Sequence, residues 1–158
     1  MEPSTAPATA ADPAAAPPQT AAAPDRLWVE RTGTRTYTGR NARGAEVAIG
    51  PTEAGAVFTP GELLKIALAG CSGMSADHAL SHRLGDDVAV TVEVEGANLR
   101  EEDRYPQLQE RMVVDLTGLD DATRERLLRV VHRAVEEHCT VGRTLTAGAT
   151  VALEVVGE

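Results

Sequence analysis

Thr59-Pro60-Gly61-Glu62-Leu63-Leu64-Lys65-Ile66-Ala67-Leu68-Ala69-Gly70-Cys71-Ser72-Gly73-Met74 is the stretch whose reading decides the fold. Thr59 can cap a helix, Pro60 suits its first position, and Glu62 falls in the first turn, where negative charge is favoured. Between Leu63 and Cys71 only Lys65 is charged. A helix apolar all round is normally buried inside a domain, so a long buried central helix is predicted from Pro60 to about Arg83, with a bend expected at Gly70 or Gly73. One thiol, Cys71, lies within it, and the second, Cys139, comes at the end of another helical pattern.

Outward from this helix, the N-terminal side reads as β-structure. Leu27, Val29 and Arg31 alternate with Trp28, Glu30 and Thr32. Thr34–Thr38 is rich in β-branched and aromatic residues. Residues 39–44 read as a turn, Ala45–Ile49 as a return strand, and residues 50–57 as a loop into the helix. On the C-terminal side, Val88, Val90, Val92 and Val94 alternate with polar residues, the period of a half-buried strand. Leu108–Leu116 reads as its hairpin partner across a long connection. Leu127, Leu128, Val131, Val135 and Cys139 recur at helical spacing behind an acidic start at Asp120-Asp121. Cys139–Leu145 reads as the exit from that helix, and Thr150–Val156 as a last strand. The fold class is therefore α+β, in the order β-β-(β)-α-β-β-α-β. Residues 1–25, an Ala/Pro-rich tail without apolar periodicity, are expected to be disordered, leaving residues 26–158 as the domain.

Composition narrows the function. The chain has 158 residues and a formal net charge of -9, which argues against nucleic acid or an anionic membrane as partner, since both need a basic face. Nothing approaches the roughly 20 apolar residues that span a bilayer. The opening Met1–Thr5 lacks the basic-then-apolar order of a secretory signal, so a cytoplasmic location is expected. Two cysteines are too few for a disulfide scaffold. In a reducing compartment they point to chemistry, a metal or core filling. Aromatics make up 3% of the chain, so an aliphatic substrate pocket is expected.

By itself Cys71 reads as a core cysteine, and apolar surroundings would make its thiol inert. Reactivity needs a cation, and Lys65 falls on another helix face. Arginine is the natural candidate, being always charged and able to bond in a fork. Cys139 can also be core filling, but His138 beside it and Arg143 a turn later make a more polar setting. His78, His82, His138 and the two cysteines allow a metal site, without the tight spacing of structural zinc.

Thr59-Pro60-Gly61-Glu62-Leu63-Leu64 through Cys71-Ser72, followed by Glu137-His138-Cys139-Thr140-Val141-Gly142-Arg143, resembles the OsmC/Ohr family from about Arg26 to the end of the chain. The resemblance implies an intertwined homodimer with active sites at the subunit interface, and thiol-dependent reduction of organic hydroperoxides without a cofactor. It makes Cys71 the attacking thiolate and Cys139 the resolving thiol. Arg40 is the best match for the arginine that stabilises the thiolate, with Arg35, Arg43 and Arg143 as alternatives. Glu62 is the candidate for orienting it. An external dithiol, such as a lipoylated protein, would restore the pair. Two departures stand out. The family's hydroperoxidase branch carries glutamate directly after the proline, where this chain has Gly61, and Glu62 points ~100° away around a helix. The proline after the second cysteine is Thr140. The alternative reading is a non-catalytic stress protein that binds an apolar ligand or senses oxidant.

Overall fold

The computed structural model describes residues 26–157; the tail expected to be disordered at residues 1–25 lies outside them. Strands β1 (Leu27–Gly33), β2 (Thr36–Asn41) and β3 (Glu46–Ile49) form an antiparallel sheet in that order. The turn expected over residues 39–44 is shorter than the sequence suggested. Gly39 to Asn41 continue β2, Gly39 and Arg40 paired with both neighbours and Asn41 with β1. The Asn41 side-chain carbonyl accepts from the amides of Arg43 (2.9 Å) and Ala45 (3.0 Å), a local alternative to the ladder that fixes where the chain reverses. The loop that follows contains one short 3-10 turn, Thr52–Ala54.

Helix α1 (Pro60–Leu84) runs as one element through Gly70 and Gly73. Its start is a capping box. The Thr59 hydroxyl accepts from the Glu62 amide (3.2 Å), and the Glu62 carboxylate accepts from the Thr59 amide (2.7 Å). The Thr59 amide and hydroxyl hold the Glu62 carboxyl below its ordinary pKa. Burial differs from the all-round expectation. One stripe is buried, Leu68, Ser72, Ala76 and Leu80, while Ile66 is 47% and Met74 83% exposed. The physical reason is coverage: α1 packs on strand β4 and on two later helices, and among the described residues Ile66 and Met74 are left uncovered.

Strands β4 (Val90–Glu95) and β5 (Gln109–Val114) form the expected antiparallel hairpin, with Val92 opposite Met112. Val90, Val92 and Val94 face inward and Thr91, Glu93 and Glu95 outward, as the period-two pattern requires. Helix α2 (Asp121–His138) is capped by Asp120, whose carboxylate accepts from the Thr123 amide at 2.9 Å. Ala76 and Leu80 of α1 meet Leu127 and Val131 of α2 in the core, and Met112 and Val114 of β5 pack against that cluster. Full burial of one Leu such as Leu80 contributes about 1.5–3 kcal/mol.

The C-terminal end corrects the expected order. The segment read as a helix exit forms a third helix, α3 (Thr140–Ala147), and Thr150–Val156 forms no strand. Val151, Leu153 and Val155 are each more than 85% exposed. Their alternation is that of a strand, but a strand forms only against a sheet edge, and this segment pairs with no edge of either sheet.

One contact constrains the start of α1. An ideal Cβ on Gly61 would lie 2.0 Å from the Tyr105 hydroxyl oxygen, so the phenol occupies the space of the missing side chain. Lys65 holds the ring from the other side, its Nζ 4.6 Å from the ring centroid and donating to the Gly96 carbonyl at 2.7 Å. Gly→Ala within a helix ordinarily gains up to about 1 kcal/mol. Here overpacking dominates: Gly61→Ala is expected to destabilise by about 1–3 kcal/mol in urea unfolding, and the penalty should vanish in a Tyr105→Ala background. A stabilised single variant would contradict the contact.

Candidate thiol site

Cys139 sits where two helices meet. Its amide closes the last turn of α2 on the Val135 carbonyl (2.9 Å), and its sulfur caps the first turn of α3 by accepting from the Gly142 amide (3.3 Å). A thiol at an N-cap is placed against the positive end of the helix. Gly142 allows this approach, because a Cβ there would lie 3.2 Å from the sulfur and 3.6 Å from Leu68.

The second donor comes from α1. Ser72 and Cys139 are each only 2% exposed, and the Ser72 hydroxyl donates to the Cys139 sulfur at 3.5 Å. The Cys71 thiol also acts on this sulfur, favouring its thiolate. Burial pushes the Cys139 thiol up. The Ser72 hydroxyl, the Gly142 amide and the Cys71 thiol outweigh it and hold the pKa below the ordinary thiol value, against a small upward effect of Glu110. Both cysteines are free thiols, Cys71 half-buried and Cys139 buried. Ser72, the residue after Cys71, and Cys139, 67 positions apart in the chain, are thus brought together where α1 and α3 pack.

Two clefts each border one of the donors to Cys139. One, about 250 Å³, runs from Ser72 along Val92, Met112, Leu127 and Val131. The other is an open cleft of about 840 Å³ between Tyr105, Leu64, Leu68, Leu145 and Gly142. The walls mix these aliphatic side chains with titratable ones, Glu110, His132 and Glu136 in the first and Asp103, Arg104 and Glu110 in the second.

The other candidate residues are not brought to the sulfurs. The Arg40 guanidinium lies on β2 between Glu30 (3.0 Å) and Glu46. Glu62 is engaged with Thr59 in the capping box. Arg143 donates to the Glu137 carbonyl (3.1 Å) at the α2–α3 junction. Arg35, at the tip of the β1–β2 hairpin with φ 58°, borders a cleft with Thr59 and Pro60 at the start of α1. His78 and His82 stack with ring centroids 6.2 Å apart. Among the described residues, no group of three or more His, Cys, Asp or Glu side chains could hold a metal ion. Nor is any described helix long and apolar enough to cross a membrane.

Sequence reasoning passed over Ser72, Gly142 and Tyr105. A signal for the first was present: a small polar residue four positions from Leu68 and from Ala76 falls on the buried stripe. A signal for the second was the Cys139-x-x-Gly142 spacing, which matches an N-cap and the amide it accepts from. Tyr105 carried none.

The sequence signature of the OsmC-like protein family matches residues 53–154. Uncharacterised proteins of Mycobacterium tuberculosis and Mycobacterium bovis are 60% identical over 131 residues, spanning 83% of this chain and 96% of theirs. Among solved structures, the organic hydroperoxide resistance protein OhrB of Bacillus subtilis is similar with a TM-score of 0.53 at 18% identity, over 78% of this chain and 92% of that one. The organic hydroperoxide resistance protein OsmC of Legionella pneumophila gives 0.52 at 21%, over 80% and 91%. At these identities the two structures speak for the fold alone. With the signature matched over more than half its length, the chain belongs to the OsmC-like family.

Proposed function

We propose that the protein is a thiol-dependent peroxidase that reduces organic hydroperoxides in oxidative-stress defence. The observation that carries this is the convergence of the Ser72 hydroxyl and the Gly142 amide on the Cys139 sulfur, one residue along α1 from Cys71. The reading pairs the half-buried Cys71 thiol with a buried one whose pKa is held low. The names of the Bacillus and Legionella structures agree with this chemistry. In this reading the Cys71 thiolate attacks the terminal oxygen of ROOH. The O–O bond breaks, ROH leaves after taking up a proton, and Cys71 becomes a sulfenic acid. Cys139 then attacks the sulfenic sulfur, the S–O bond breaks, and water leaves as the disulfide forms. A cytoplasmic dithiol, such as a lipoyl group on a protein, returns both thiols by exchange. The alkyl group of the peroxide occupies one of the two clefts.

Arg40 and Glu62 keep a role here only across a subunit interface, because within one chain they are engaged by Glu30, Glu46 and Thr59. The reading therefore includes a homodimer. It is supported by the exposed residues of α1 and by the exposed alternation of Val151, Leu153 and Val155, which pairs with neither sheet of its own chain and would find a sheet edge on a second copy.

A second reading is favoured by one observation. Tyr105 fills the place of a side chain at position 61, so the position where the hydroperoxidase branch carries glutamate is closed. A non-catalytic protein that binds an apolar ligand would fit that change.

Consumption of cumene hydroperoxide with dihydrolipoamide separates the readings. Wild type is expected to turn over, Cys71→Ser to fall to background, and Cys139→Ser to react once and retain a sulfenate that dimedone labels. Equal rates for wild type and Cys71→Ser, with no dimedone label, would sink the peroxidase and leave the ligand-binding reading.

Sedimentation velocity tests the dimer. Full-length protein is expected to sediment as a dimer, and a chain ending at Gly148 to lose most of that association. A monomeric full-length protein, or a truncated chain that dimerises as well, removes the interface assigned to residues 149–157.

A further inference from the structure

The two sulfurs are not equivalent as targets for a reductant. Cys71 is half-buried, whereas Cys139 is 2% exposed beneath Leu68, Ser72 and the first turn of α3. Nucleophilic attack on a disulfide must approach the attacked sulfur along the S–S axis, on the side away from the leaving sulfur. Cys139, a buried residue, offers a reductant far less room for that approach than half-buried Cys71. The leaving side is also asymmetric. A thiolate expelled at Cys139 is met by the Gly142 amide at 3.3 Å and the Ser72 hydroxyl at 3.5 Å. Apart from Cys71 itself, the titratable group acting on it is Glu110 of β5, which opposes the thiolate.

We propose that the external dithiol attacks Cys71 and expels Cys139, and that Ser72 is a positioning residue for this step, donating its hydroxyl to the departing sulfur. The reductant thiolate forms a bond to the Cys71 sulfur, the Cys71–Cys139 bond breaks, and its electron pair leaves on Cys139. The reductant's second thiol, deprotonated, then displaces the Cys71 thiolate and closes the reductant's own disulfide. Two electrons pass from the dithiol to the protein, and both protein thiols are restored. A better-stabilised leaving thiol leaves faster, so the cradle around Cys139 accelerates the first exchange. The fold thereby fixes both the direction of attack and the intermediate, a mixed disulfide on Cys71.

This deepens the peroxidase reading but can be tested apart from it, because diamide forms the disulfide without any hydroperoxide. Diamide-oxidised protein is mixed briefly with glutathione, quenched in acid and digested. Peptide mass spectrometry is expected to place the glutathione on Cys71, and glutathione found chiefly on Cys139 overturns the direction of attack. Failure of diamide to join the two cysteines overturns the proposal as well. In parallel, stopped-flow reduction by dithiothreitol is expected to be about three- to tenfold slower in Ser72→Ala than in wild type. Alkylation of the lone Cys139 in a Cys71→Ser background supplies a readout that packing alone would not move. Adding Ser72→Ala should shift its pH–rate midpoint upward. An unchanged reduction rate with an unchanged midpoint removes Ser72 from the step. A protein that passes these tests yet leaves hydroperoxides untouched refutes the peroxidase and not the exchange geometry.

Discussion

A single row of side chains on α1, repeated every four residues, sets the architecture. Leu68, Ser72, Ala76 and Leu80 form the only fully buried stripe of that helix. Ala76 and Leu80 bind α2 and the β4–β5 hairpin into the core, and Leu68 meets the first turn of α3. Ser72 is the one polar member. A buried hydroxyl without a partner costs free energy, and here its partner is the Cys139 sulfur. The row that closes the core therefore also fixes the distance between the two helices that carry the thiols. Stability and redox geometry depend on the same packing, so the sulfur pair cannot loosen without opening the core beside it.

The chemistry follows from the kind of environment this creates. A buried cysteine is ordinarily inert, because burial disfavours the thiolate. Cys139 escapes that outcome through hydrogen bonds rather than through a nearby cation: an amide from a helix start, a hydroxyl from α1 and the neighbouring thiol. The arginine expected from the sequence concerns the Cys71 thiolate, a different sulfur. Arg40, the best candidate, is held on the sheet by Glu30 and Glu46.

Much of the fold was legible beforehand, for physical reasons that differ by element. The start of α1 could be read from Thr59, Pro60 and Glu62, because capping is a local interaction. The β4–β5 hairpin could be read from its period-two valines, because one of its faces is buried. Three features were not legible. The all-round apolar character of α1 predicted all-round burial, but a single chain covers only the Leu68–Leu80 stripe. Helix α3 was hidden because its cap is a cysteine, an unusual residue at that position, and its eight residues are too few to show a clear period. Thr150–Val156 has the pattern of a strand, but pattern does not supply the edge a strand needs. Within the site, the two cysteines were legible as a pair only through family resemblance. The Ser72–Cys139 contact depends on helix packing across 67 positions, which no local signal encodes.

The Gly61–Tyr105 contact also bears on how such a chain can change over time. With the phenol oxygen 2.0 Å from where a Cβ would stand, position 61 cannot gain a side chain while position 105 keeps its ring in place. A path between a glycine here and the glutamate of the hydroperoxidase branch must therefore pass through a smaller or displaced residue at 105 first. In the opposite direction, the aromatic ring can arrive only after the helix has lost its side chain. Two positions 44 apart in the chain by numbering are bound into one inherited unit, and the order of substitution is set by van der Waals radii.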